Sequence, residues 1–170
     1  MLNLTRPHYF LLFFICHELL ITAFYFEIYL GLEPCPLCMV SRAVVFTLGV
    51  FFLLAALHNP SGLTRKIYHG ILSIISALGI AASTQHVYLQ SLPADEVPSC
   101  GPSLDYMLDT LPMSEVLKKL MEGSGSCAES SWEFMSLSMP AWMLVIFSGF
   151  FVLSLYPFFK RERTKIFSDN

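Results

Sequence analysis

Charge is what this sequence most lacks. Asp, Glu, Lys and Arg make up 14% of its 170 residues, against 55% hydrophobic side chains and a mean hydropathy of +0.60. So few charges on so apolar a chain exclude an ordinary water-soluble globule. Basic residues form no patch outside the clusters that flank apolar runs, and a net charge of −3 gives no ground for binding nucleic acid. The first apolar run has no small-x-small cleavage site and carries His17, Glu18 and Glu27. It therefore reads as a retained helix rather than a removed signal peptide. Cysteine is scarce as well, with five in the chain. Met39, not histidine, follows Cys38, which excludes c-type haem attachment. A second CxxC is missing, and Cys100 and Cys127 stand 27 residues apart with no histidine expected beside them, so no metal site is expected.

What is present is apolar and grouped. Four runs, at about residues 8–30, 37–57, 67–89 and 140–159, each approach the length that a helix needs to cross a hydrocarbon core. Backbone polar groups in lipid must be satisfied within their own segment, so helices are the default. The expected fold is an all-α, four-helix transmembrane bundle forming a single domain over residues 1–170. A long outer loop, 90–139, should carry a short interfacial helix. Arg6, Arg65, Lys66, Lys160, Arg161, Arg163 and Lys165 fall on one side of these spans, and only Lys118 and Lys119 on the other. By the positive-inside rule both termini should be cytoplasmic. Cys35, Cys38, Cys100 and Cys127 then all lie on the outer side, where disulfides persist.

The pivotal stretch is Cys35-Pro36-Leu37-Cys38 with Arg42 four residues on. If a helix starts at Pro36, proline occupies the first helical position without losing a hydrogen bond. The dithiol then sits at the positive end of the helix dipole, which favours thiolate. Arg42 shares the face of Cys38 one turn along. A permanent cation beside a thiolate suits a redox centre at a membrane surface, able to exchange with the second outer pair. Two inert structural disulfides in a membrane receptor or scaffold are the competing reading.

Other features carry weaker signals. Glu18, near the middle of run one, reads either as part of a proton route or as a helix-packing contact facing the bundle interior. Cys16 reads as a small buried hydrophobe. Gly70, Ser73, Ser76, Ala77, Gly79, Ala81 and Ala82 give run three a small surface for close packing. His86, near its outer end, could donate a proton to a carbonyl-bearing ligand or be an interfacial polar residue. In the outer loop, Met113–Met121 reads as a short amphipathic helix, either flat on the membrane or a lid on the bundle. Gly123–Ser126 reads as a flexible hinge before Cys127. Trp132 and Trp142 fit an aromatic belt.

Taken together, Cys35-Pro36-Leu37-Cys38 with Arg42, Cys100, Ser126-Cys127-Ala128-Glu129 with Trp132, and Met139-Pro140-Ala141-Trp142 resemble the disulfide bond formation protein B (DsbB) family from about Tyr29 to Lys165. The resemblance implies a bacterial inner-membrane thiol oxidase with periplasmic redox loops. Such an enzyme reoxidises a DsbA-like thioredoxin-fold protein and passes the electrons to ubiquinone or menaquinone. It further implies that the reduced partner attacks a Cys100–Cys127 disulfide through Cys100. Cys127 then engages Cys35, Cys38 is released toward the quinone, and His86 lies near the quinone ring. Arg42, by its own position one turn beyond Cys38, would place positive charge on that thiolate and on the developing quinol anion. A related oxidase dedicated to another exported partner is a further possibility. Cys16 and Glu18 receive no role from the resemblance.

Overall fold

The computed structural model describes residues 6–31, 34–93, 104–122, 125–128 and 133–159. Cys100, Trp132 and the basic C-terminal cluster lie outside the described residues. Four long helices dominate: α1 (Arg6–Leu30), α2 (Pro36–His58), α3 (Gly62–Gln90) and, closing the chain, α7 (Met139–Phe159). All four are long and apolar enough to cross a membrane. Between α3 and α7 come α4 (Leu104–Thr110), α5 (Met113–Glu122), α6 (Gly125–Ala128) and a hairpin of β1 (Glu133–Phe134) with β2 (Leu137–Ser138).

Local chemistry explains where the long helices stop. Gly31, at φ +65°, ends α1 in the left-handed conformation that glycine adopts without strain. Asn59 does the same for α2 at φ 45°, donating its N–H to the Ala55 carbonyl. Residues 59–61 then turn the chain directly into α3, which starts five residues before its apolar run. The hairpin turns through Met135 and Ser136, both at positive φ (54° and 63°). That is the twist a two-residue hairpin needs, built without the usual Asn-Gly.

The central element is α3, which packs most extensively on α7 and also on α2, while α2 in turn holds α1. Its small residues allow the approach. Ser73 donates to the Ser154 hydroxyl of α7 at 2.9 Å, and Ser76 is fully buried. The interior joins Tyr9, Leu12 and Cys16 of α1 to Val45, Leu48 and Phe52 of α2, Leu72 of α3, and Phe147 and Phe150 of α7. Cys16 is buried against Gly49, whose added Cβ would lie 3.3 Å from that of Cys16. At the other end of the bundle from the cysteine pair, the Tyr9 hydroxyl meets His69 Nε2 at 2.9 Å. Apolar side chains such as Phe14, Phe46, Ile74 and Val152 face outward, as a lipid-facing belt requires.

Two expectations change here. Glu18 was expected to face the bundle interior; it lies on the exposed side of α1 together with His17. Helical periodicity accounts for this, because Leu12 and Cys16 already claim the inward stripe and residues 17 and 18 rotate away from it. Gly125 and Ser126 belong to α6 rather than to a flexible hinge. In α5, Val116 is buried in the protein while Met113, Lys118 and Lys119 are exposed. The helix is thus anchored on the rest of the fold through one face.

Gly79 marks a close approach of α3 to α7. A Cβ at this position would meet the ring of the fully buried Phe147 at 2.6–2.8 Å. Alanine gains up to about 1 kcal/mol of helix propensity, but overpacking a closed interface costs about 1–3 kcal/mol. Gly79→Ala is therefore expected to lower the Tm of the detergent-solubilised protein. Combining it with Phe147→Leu should give less loss than the two single changes summed, since the clash then has room to relax.

Candidate functional site

Cys35 is the N-cap of α2, with extended backbone (φ −69°, ψ 163°) and Pro36 at the first helical position. Its carbonyl accepts the Met39 N–H at 3.1 Å, closing the first helical turn. This geometry puts Cys38 on the first turn of α2, within hydrogen-bonding reach of Cys35. From the other side comes Cys127 on α6, fully buried and also hydrogen-bonded to Cys35. Leu37, Leu89 and Leu92 complete a small apolar shell around the three sulfurs. All described cysteines, Cys16 included, are thiols here.

The last turn of α3 supplies the remaining wall. His86 Nε2 lies 3.6 Å from the Cys35 sulfur, and His86 also hydrogen-bonds the backbone of Cys127. Its side chain is only 4% exposed. Spacing along the chain alone puts no histidine near these thiols. The fold overturns that premise, because Cys35 and His86, 51 positions apart, are joined by two antiparallel helices that bring the start of α2 level with the end of α3. His86 is therefore a sulfur contact as well as a polar group near the membrane surface.

Arg42 lies one turn beyond Cys38 and is not a free cation. Its Nη1 pairs with the Glu27 carboxylate of α1, and its Nη2 donates to the Ala23 carbonyl at 3.0 Å. The guanidinium also stands over the Phe24 ring, 5.3 Å from its centroid. Glu27 escaped the sequence reading as a site residue. The signal that would have found it is an acid within an apolar span, which needs a partner.

The environment of Cys35 sets its reactivity. The Cys127 hydrogen bond favours its thiolate, but the hydrogen bond to Cys38, burial, and the nearby Cys38 charge together outweigh it and push the thiol up to about 12. Neutral thiol thus predominates at every pH below that value, and the thiolate fraction grows tenfold per pH unit. Alkylation of Cys35 in the reduced protein, followed by peptide mass spectrometry, should accelerate steadily from about pH 7 to about pH 10. A plateau near pH 9 would instead mark an ordinary thiol.

Comparison with known proteins agrees with this architecture. The family model described as disulfide bond formation protein DsbB matches residues 5–157. The match starts at residue 5, ahead of α1, rather than at Tyr29, so the whole first helix is part of the shared pattern. Proteins named disulfide bond formation protein B are similar over nearly the whole chain. The one from Nitrosococcus oceani is 47% identical over 148 residues, covering 87% of this chain and 88% of its own length. That from Marinobacter nauticus is 46% identical over 151 residues, 89% and 90% of the two chains. The Hahella chejuensis protein is 44% identical over 158 residues, 93% and 96%. A four-helix membrane fold, a dithiol at a helix start and this similarity over the whole span lead to one assignment: the chain belongs to the DsbB family of membrane thiol oxidases.

Proposed function

We propose that this protein takes electrons from a DsbA-like periplasmic dithiol protein and delivers them to a membrane quinone, ubiquinone or menaquinone. In this reading it is an inner-membrane enzyme with both termini cytoplasmic and the cysteines periplasmic. The observation that carries it is that Cys35 is hydrogen-bonded to both Cys127 and Cys38. Three sulfurs linked in this way form a path along which a disulfide can move by successive exchange. Cys127 thiolate attacks the Cys35 sulfur of the Cys35–Cys38 disulfide; the Cys127–Cys35 bond forms and Cys38 leaves with the electron pair. The direction follows from leaving-group chemistry. A sulfur whose thiol holds its proton as tightly as Cys35 leaves poorly, so Cys38 is expelled. Cys100, freed when the partner's second thiol resolves the mixed disulfide, then attacks the Cys127 sulfur, re-forming Cys100–Cys127 and expelling Cys35. The Cys35–Cys38 dithiol now gives two electrons and two protons to the quinone, yielding quinol and its own disulfide.

Arg42 and His86 are the residues proposed to face the quinone. Positive charge from Arg42 stabilises both the Cys38 thiolate and the developing quinol anion. A charge-assisted contact of this kind contributes about 1.5–3 kcal/mol, so Arg42→Ala should raise the KM for quinone on the order of 10- to 100-fold. Glu27 holds Arg42 from α1. Glu27→Ala should therefore raise the same KM with little change in kcat, and Glu27→Gln, which keeps an acceptor for the guanidinium, should recover most of the loss. Unchanged KM in both Arg42→Ala and Glu27→Ala would remove Arg42 from the acceptor site.

The test of the function as a whole is quinone reduction by the detergent-purified protein, supplied with a reduced thioredoxin-fold dithiol donor and followed by quinone absorbance. Catalytic quinone loss is expected. No loss with either quinone, while the disulfides stay intact, would favour a non-catalytic membrane scaffold with structural disulfides.

A further inference from the structure

The Cys35 and Cys127 sulfurs and a ring nitrogen of His86 all lie within 4.8 Å of one another, and all three side chains are buried. Two thiols and an imidazole form a donor set that zinc prefers. Tetrahedral zinc, with Zn–S near 2.3 Å and Zn–N near 2.0 Å, needs ligand edges of about 3.6 Å between sulfur and nitrogen and about 3.8 Å between two sulfurs. The Cys35–His86 edge is already 3.6 Å. The three donors of this cluster leave one tetrahedral position, and Cys38, outside the cluster but hydrogen-bonded to Cys35 in a C-x-x-C pair of the spacing common in zinc sites, is the donor nearest to filling it.

We propose that the reduced site binds one Zn2+ through Cys35, Cys127, His86 and Cys38, and that the oxidised site does not. Each thiol that ligates releases its proton, so Zn2+ and three thiols give a three-thiolate, one-imidazole complex and three protons. No electrons move. Oxidation removes the site because a sulfur in a disulfide is no longer an anionic ligand. Zinc therefore reads the redox state of the centre. While it is bound none of these three sulfurs is free for exchange, and the Cys35–Cys38 pair is held in its reduced form. The apolar shell of Leu37, Leu89 and Leu92 shields the complex from water.

Co2+ is the probe that tests this, as a spectroscopic substitute for Zn2+. The full-length protein in detergent is reduced with a phosphine, desalted without oxygen and titrated with Co2+. One equivalent should bind with the visible bands of tetrahedral cobalt and sulfur-to-cobalt charge transfer, and one equivalent of Zn2+ should displace it. The same chain in its oxidised form should show neither signal, a comparison that needs no mutation. His86→Ala and Cys127→Ala should each weaken Co2+ binding on the order of 100-fold, more than loss of an outer-shell partner typically costs. Cys16→Ala, remote from the site in the bundle core, should leave the spectrum unchanged. Absence of the tetrahedral thiolate spectrum in the reduced protein overturns the proposal. So does an equal spectrum in the oxidised protein or in His86→Ala. Because the readout is metal binding, the outcome is independent of whether quinone is the electron acceptor.

Discussion

Replacing Cys35 by alanine is expected to abolish dithiol-driven quinone reduction, with a loss on the order of 10³-fold or more, as befits removal of a covalent intermediate. The reason is positional. Cys35 is the one described sulfur that touches both Cys127 and Cys38, so every electron pair on the proposed path crosses it. The folded state should survive. Cys35 caps α2 through its backbone, with no side-chain capping hydrogen bond, and alanine can adopt the same extended conformation. Equal helical content and similar Tm alongside lost turnover would establish a chemical role. Comparable loss of both would show that the cysteine is a packing residue, and retained turnover would end the relay reading.

Cys100→Ala should divide the activity by donor. In the proposed relay Cys100 is the sulfur that the protein donor attacks, so oxidation of the thioredoxin-fold substrate should fall to background. A small dithiol should still reach the Cys35–Cys38 disulfide at the start of α2 and keep reducing quinone at an appreciable rate. Assaying both donors against the same variant checks this. Parallel loss with both donors would mean that Cys100 is needed for the site itself. Undiminished oxidation of the protein donor would mean that electrons enter elsewhere.

Much of this architecture could be read from the chain because lipid leaves few choices. Apolar runs of span length have to be helices, and Pro36 beside Cys35 marks a helix start whatever surrounds it. Lateral relations were harder. His86 lies opposite Cys35 only because the short turn at residues 59–61 sets α2 and α3 antiparallel and level, a depth match that spacing along one helix does not report. Glu27 became visible only once α1 was docked on α2. The outward turn of Glu18 depended on which stripe of α1 the neighbours chose, and in a helix apolar on every side hydrophobicity does not choose it. The hairpin at Met135–Ser136 lacked the residues that normally announce such a turn.

The bond between Arg42 and Glu27 also bears on how the chain enters the bilayer. A lone arginine or carboxylate in a spanning segment adds about 2.5–3.5 kcal/mol to the free energy of insertion when it sits at the bilayer centre, and less toward the surface. Here the two opposite charges lie on consecutive helices near the end where those helices join, with only residues 31–35 between them. Neither helix then has to settle in lipid as a charged, solitary segment. Pairing within the α1–α2 hairpin lets both leave the translocon together, with their charges already neutralised against each other. The contact that orients the cation in the finished enzyme thus also couples the biogenesis of its first two spans.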